Sequence, residues 1–412
     1  MITRQSAHDL IALERTYGAP NYAPLEVVLE RGEGVYVWDV DGNRYVDCIS
    51  AYSAVNQGHV HPAIRDALVR QASRLTLTSR AVHNDRLPLL LEELTRYAGY
   101  EMALLMNTGA EAVETAIKLA RRYGYRRKGI APDRAEIVVC SDNFHGRTTT
   151  IVGASTDPQY RRDFGPFPAG FRVVPFGDRS ALEAAINDTT CALLIEPIQG
   201  EGGVNVPPAG YFAAAARICR ERRALLLADE VQTGFGRTGT RFAADAEGVR
   251  PDVTIVGKAL GGGFYPVSGI LGSRELLELF GPGDHGSTFG GNPLGCEVAR
   301  AALRVIVDED LAGNARRRGD ELAAGLRALR SPLVREVRGR GLLVGVELTV
   351  KAKTLAKALL REGVLAKDTR DHVLRIAPPL VIDGEQVAAV VDAVGRALRH
   401  VEAPAEAGAF SV

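Results

Sequence analysis

Val253-Thr254-Ile255-Val256-Gly257-Lys258 runs directly into Ala259-Leu260-Gly261-Gly262-Gly263. The uncharged run before Gly257 reads as a strand covered on both faces, and it delivers a lysine into a glycine-rich turn. Burial disfavours an ammonium, and a neutral amine can attack a carbonyl to form a Schiff base. Lys258 is therefore a candidate reactive amine. From these residues alone, a solvated lysine closing a strand fits equally well.

Four similar runs precede it: Ala103-Leu104-Leu105-Met106, Ile137-Val138-Val139-Cys140, Ala192-Leu193-Leu194-Ile195 and Leu225-Leu226-Leu227-Ala228. None alternates polar with apolar residues, and helical stretches separate them, so the fold class is α/β with a mainly parallel sheet between helices. Ligands of open α/β sheets bind beyond the carboxyl ends of the strands. Polar residues gather at those ends: Asn107 and Thr108, Asn143 to Arg147, Glu196, Asp229 and Lys258. One mouth is expected to collect them.

The pattern differs outside this stretch. Residues 1–51 read as a helix and a β-meander, with Asp41-Gly42-Asn43 turning between Val35–Asp39 and Arg44–Asp47. Residues 52–290 form the large α/β domain. Residues 291–412 form a smaller α+β domain, which the N-terminal segment joins. In it, one long helical region from Pro293 to about Leu329 precedes strands near Leu342–Val344 and Val373–Ile376 and a closing helix. The tail from Glu402 is expected to fray.

The chain has 412 residues, with 50 basic and 50 acidic side chains. A length beyond the usual single-core limit suggests two domains, and the balanced charge gives no sign of nucleic acid or a membrane surface as partner. Five scattered cysteines without a CxxC pair read as reduced thiols. The N-terminus lacks an apolar signal core, and no apolar stretch approaches the ~20 residues of a membrane helix. A soluble cytoplasmic protein is the expectation.

Asn107-Thr108-Gly109-Ala110-Glu111-Ala112 links a strand to an alanine-rich helix. Such a start exposes backbone N–H groups to a phosphate, although an ordinary helix cap has the same residues. Asp229 has no cationic partner in its immediate sequence, so burial there calls for a protonated base opposite, unless it merely caps a helix. Pyridoxal phosphate carries a phosphate, an aldehyde for a lysine and a pyridinium nitrogen, and would explain all three features.

Gly234-Phe235-Gly236-Arg237-Thr238-Gly239 matches GxGxxG but opens no convincing helix, which argues against a dinucleotide site. His59-Val60-His61-Pro62 lacks further ligands and reads as a turn before a helix, so no metal site is expected. In Phe144-His145-Gly146-Arg147 the ring suits stacking on a planar cofactor and the arginine suits a carboxylate. Core packing and a surface ion pair explain them as well.

These residues resemble the class III (subgroup II) aminotransferases of fold type I over almost the whole chain. The motifs are Asn107-Thr108-Gly109, Asn143 to Thr148, Glu196-Pro197-Ile198-Gln199-Gly200-Glu201, Asp229 to Gly234, Gly257-Lys258-Ala259-Leu260 and His285 to Pro293. The resemblance implies a pyridoxal-phosphate-dependent transferase with a seven-stranded sheet in its large domain. It makes Lys258 the Schiff-base and proton-transfer lysine and Asp229 the partner of the pyridine nitrogen. Gln232 would bond the cofactor's phenolic oxygen, and Phe144 and Val231 would sandwich its ring. Thr108, Gly109, Ala110, Ser287 and Thr288 would serve the phosphate, Thr288 from a neighbouring subunit. That implies an obligate homodimer with shared active sites, alone or within a higher oligomer.

Within the family the ornithine-using branch resembles the chain most closely. Tyr22 and Tyr52 match pocket tyrosines of that branch, and acetylornithine enzymes usually lack the second. Arg147 would hold the α-carboxylate with Tyr22, and Glu201 would mask Arg375 until 2-oxoglutarate enters. His145 departs from the tryptophan of the animal enzymes and is common in acetylornithine enzymes. The implied reaction moves the δ-amino group of ornithine to 2-oxoglutarate. The alternatives are an acetylornithine or γ-aminobutyrate-type donor, a dinucleotide oxidoreductase, or a non-catalytic binding protein.

Overall fold

The computed structural model describes residues 5–407. Its centre is a sheet of seven strands in the order Met102–Met106, Ser268–Gly272, Val253–Val256, Leu225–Asp229, Thr190–Ile195, Glu136–Cys140 and Phe171–Val174. Ser268–Gly272 runs antiparallel to both neighbours and the other pairings are parallel. Met102–Met106 therefore points the same way as the parallel strands, and its carboxyl end joins theirs. Of the two strands absent from the sequence reading, Phe171–Val174 forms an edge of the sheet and Ser268–Gly272 is inserted between the predicted runs Met102–Met106 and Val253–Val256.

The runs lack alternation because both of their faces are buried. Ile137, Val139, Leu194, Leu225, Leu227 and Ile255 pack with Val113, Ala116 and Ile117 of the helix Gly109–Tyr123. The intervening residues Val138, Leu193, Ile195, Leu226 and Ala228 pack on the other side with Phe212, Ala215 and Ile218 of Tyr211–Glu221. Each fully buried aliphatic side chain contributes roughly 1.5–3 kcal/mol, so two apolar faces hold this sheet at the centre.

Two smaller sheets flank it. Leu29–Glu33, Tyr36–Asp39 and Arg44–Asp47 form the N-terminal meander, and Val364–Leu365 adds a parallel fourth strand to Arg44–Asp47. Gly42 takes φ +90° in the predicted turn. The second sheet holds Val334–Arg340, Leu343–Leu348, Val373–Ile376 and Lys367–Thr369, all antiparallel.

The single helical region expected from Pro293 is two helices, Pro293–Asp308 and Leu311–Ala328. The chain breaks because Asp310 takes φ +46° and its carboxylate caps the second helix at the Gly313 N–H. Helix Gly384–Ala407 includes the start of the tail that the sequence reading begins at Glu402, and residues 408–412 of that tail lie outside the described residues. Among the described residues, no helix is long and apolar enough to cross a membrane.

The GxGxxG segment is a turn at the junction of three parts of the chain. A side chain on Gly236 would meet the backbone of Ala312 at 3.3 Å, and one on Gly341 would meet Gly239 N at 2.7 Å. Close backbone approach, rather than a nucleotide, explains these glycines.

Candidate active site

Lys258 stands where strand Val253–Val256 ends, on the first residue of the short 3-10 turn Lys258–Gly261. Its φ is +44°, a left-handed conformation that costs a non-glycine residue roughly 1–2 kcal/mol. The conformation sends the side chain into a cavity of about 200 Å³ at the carboxyl ends of the strands. Burial lowers its pKa to about 8, against the opposing pull of Glu201. A buried amine whose pKa lies this close to physiological pH keeps a usable neutral fraction and is a competent nucleophile and base.

Gly109 and Ala110 line the same cavity from the start of helix Gly109–Tyr123. The N–H groups of a first helical turn have no acceptor inside the helix. Thr108 is committed elsewhere: its hydroxyl accepts from the Glu111 N–H at 3.2 Å, and the Glu111 carboxylate accepts from its N–H at 2.7 Å. Val231 lies so near that a side chain on Gly109 would meet its methyl at 3.0 Å.

Asp229 does have a partner, contrary to the view from its neighbours in sequence. His145 Nδ1 lies 2.7 Å from its Oδ2, and both side chains are buried. Burial works against the imidazolium, but the hydrogen bond and charge of Asp229 prevail and raise the His145 pKa. Asp229 Oδ1 accepts from the Val231 N–H at 3.2 Å. His145 thus stands behind Asp229 as its hydrogen-bond partner as well as lining the cavity. Burial also pushes Glu196 up to about 7, while its oxygens accept from the N–H groups of Phe144 and Gly200.

Beside Gln232, Glu201 Oε1 meets Arg375 Nη1 at 2.5 Å. Gln232 donates to the same oxygen at 3.2 Å, and the loop passes it only because Gly200 has no side chain. Burial alone would raise the Glu201 pKa, yet the charges of Arg375 and Lys258 hold it below the usual range. Among the described residues, Arg375 Nη2 is buried without an acceptor. The guanidinium carbon sits 4.9 Å from the centre of the Tyr52 ring.

Tyr52 reaches that position through a backbone that sequence patterns do not announce. Ser50, Ala51, Tyr52 and Ser53 take φ of +48°, +44°, +60° and +73°, a left-handed turn built without glycine. Hydrogen bonds restrain it: Ser50 Oγ donates to Ala377 O at 2.7 Å, and Asp47 accepts from the N–H groups of Ile49 and Ser50. Strain of this kind persists where the surroundings over-determine it, commonly at functional sites.

Phe144, Asp229, Val231, Gln232 and Lys258 line the cavity with Gly109 and Ala110. Tyr22, Tyr52, Arg147, Glu201 and Arg375 are outside its lining. Arg147 rests 3.9 Å over the ring of Tyr160 and 5.5 Å from that of Phe144. Tyr22 is 74% exposed. Ser287 accepts from Asn107 Nδ2 at 2.8 Å, and Thr288 is exposed. Sequence reading missed Tyr160 and the His145–Asp229 pair; a tyrosine and a histidine carried no local sign of either contact.

An amine, a buried carboxylate and free N–H groups at a helix start converge on one cavity, whose walls include Phe144 and Val231. That donor set fits pyridoxal phosphate. The GxGxxG turn, by contrast, lies among backbone neighbours.

A model of the class-III aminotransferases matches residues 17–398. The chain is 53% identical to the ornithine aminotransferase of Bordetella pertussis over 399 residues, 96% of this chain and 97% of the relative. The solved ornithine aminotransferase from Toxoplasma gondii superposes with a TM-score of 0.96 at 43% identity, covering 98% of this chain and 96% of that one. The acetylornithine aminotransferase from Elizabethkingia anophelis is 44% identical with a TM-score of 0.88, covering 96% and 100%.

Proposed function

The chain belongs to the class-III aminotransferase family, and on that premise we propose that it transfers the δ-amino group of L-ornithine to 2-oxoglutarate. The products are L-glutamate 5-semialdehyde and L-glutamate. The observation that carries this reading is the Glu201–Arg375 pair beside Tyr52, with Arg375 Nη2 lacking an acceptor.

Bound pyridoxal phosphate supplies the carbonyl that exchanges for an amine and the ring that takes up electrons released at the substrate carbon. Gly109 and Ala110 would offer N–H groups to its phosphate, and Phe144 and Val231 would enclose its ring. Asp229, backed by His145, would hold a proton on the ring nitrogen. Lys258 Nζ would take a proton from the reacting carbon of the substrate and hand it to the cofactor side, which lets the amino group stay behind.

Two unlike substrates must use one pocket. While Glu201 pairs with Arg375, the arginine's charge is masked and ornithine's terminal ammonium meets no uncompensated cation. When 2-oxoglutarate enters, Glu201 withdraws and Arg375 binds the carboxylate beside the reacting carbon through two parallel hydrogen bonds. Arg147, with Tyr22, holds the distal carboxylate. Thr288 is exposed and outside the cavity lining, which supports a role at the phosphate of a second copy in a homodimer. Five buried free thiols support a cytoplasmic setting.

Relative kcat/KM on ornithine, N-acetylornithine and γ-aminobutyrate tests the donor. Ornithine should lead by at least about tenfold, the worth of one charge-assisted contact; parity or preference for N-acetylornithine would overturn the assignment. Glu201→Ala tests the gate. Its half-reaction with glutamate should quicken by about tenfold while that with ornithine slows, because Arg375 is then permanently unmasked. An unchanged ratio rejects the switch.

A further inference from the structure

The ring of Tyr160 lies beneath the guanidinium of Arg147, 3.9 Å from it, and meets Phe144 edge-on, with centroids 5.9 Å apart at 77°. Arg147 thus rests on two rings, and one of them also walls the cavity. Tyr160 belongs to the short helix Pro158–Arg161, capped by Asp157. Asp157 accepts from Arg370 at 2.8 Å, and Arg370 also reaches Asp142 at 3.3 Å. The preceding residue, Thr369, donates to the Glu201 backbone carbonyl at 2.7 Å. One end of the C-terminal sheet therefore grips both the segment under Arg147 and the loop bearing Glu201.

We propose that Tyr160 is a positioning residue, fixing the Arg147 guanidinium for the carboxylate distal to the reacting carbon, and that Asp157–Arg370 anchors it to the C-terminal sheet. This rests on the role given to Arg147 above. A guanidinium stacked on an aromatic face keeps its in-plane N–H edge open to a carboxylate. Without the ring, a long flexible side chain must be ordered anew at each binding event. The Tyr160 hydroxyl stays protonated, because burial raises its pKa against the pull of Arg147. The neutral ring is therefore the relevant group.

Steady-state kinetics of the holoenzyme with 2-oxoglutarate provide the test. Tyr160→Leu should raise KM about tenfold with kcat within about twofold, while Tyr160→Phe, which keeps the ring, stays near wild type. A fall in kcat without a rise in KM, or a Phe variant as impaired as the Leu variant, overturns the proposal. Should Tyr160→Leu not fold, Asp157→Asn should raise KM about threefold by weakening the anchor, and an unchanged KM there overturns it. Arg147→Leu separates the two levels of inference. An unchanged KM in that variant sinks the assignment of Arg147 itself; a raised KM beside an unaffected Tyr160→Leu sinks only the role of Tyr160.

Discussion

Lys258→Ala is expected to reduce kcat roughly ten-thousand-fold, since it removes both the attacking amine and the proton carrier. The cavity loses only one side chain, so circular dichroism should be unchanged. The wild-type lysine carries a second expectation. With its pKa lowered to about 8 by burial, half of the amine is neutral at about that pH, and the neutral form is nearly complete roughly a unit above it. The rate at which cofactor-free protein gains visible absorbance on adding pyridoxal phosphate should follow that curve. A lysine at its ordinary value near 10.4 would still be gaining neutral amine two units higher. A rate still climbing steeply at pH 10, or a Lys258→Ala variant with more than about one per cent of the wild-type kcat, would sink the assignment.

The largest effect on stability is expected at Arg237, inside the GxGxxG turn. Its side chain is fully buried and donates to Leu342 O at 2.8 Å, Pro378 O at 2.6 Å and Asn56 Oδ1 at 2.6 Å. Burial depresses its pKa to about 9, although Asp47 acts against that shift. Arg237→Met keeps much of the volume but strands three buried acceptors at the meeting of the N-terminal, central and C-terminal parts of the chain. Each stranded acceptor costs about 1–3 kcal/mol, and the variant should lose about 3–5 kcal/mol in denaturant unfolding. A midpoint within error of wild type would show that the junction is held otherwise. Arg237→Lys should not rescue it, because an ammonium cannot span acceptors arranged for a planar fork.

Arg237 shows where sequence reading stops. The spacing of the glycines was visible and correctly set aside as a nucleotide motif. The acceptors of the arginine between them lie 105 and 141 residues onward and 181 residues back, beyond any local pattern. Asp229 shows the same limit more sharply. Its neighbours offered no cation, yet His145, 84 residues away, is brought to it because strands Glu136–Cys140 and Leu225–Asp229 end at the same mouth of one sheet. The break at Asp310 and the left-handed turn at Ser50–Ser53 were hidden for a related reason. Ordinary residues hold positive φ there under tertiary restraint, without the glycine that usually announces it.

By itself the sequence determined the strand–helix alternation, the doubly buried central sheet and the placing of Lys258, Asp229 and the Gly109 helix start at strand ends. Those are consequences of local hydrophobic pattern and of where a strand stops. The Glu201–Arg375 pair was expected only through the family resemblance, and the tertiary structure alone decided that His145 stands behind Asp229 and that Tyr160 underlies Arg147. Charge pairing, desolvation and ring stacking act over a few ångströms, and chain packing alone brings residues tens to hundreds of positions apart within that range.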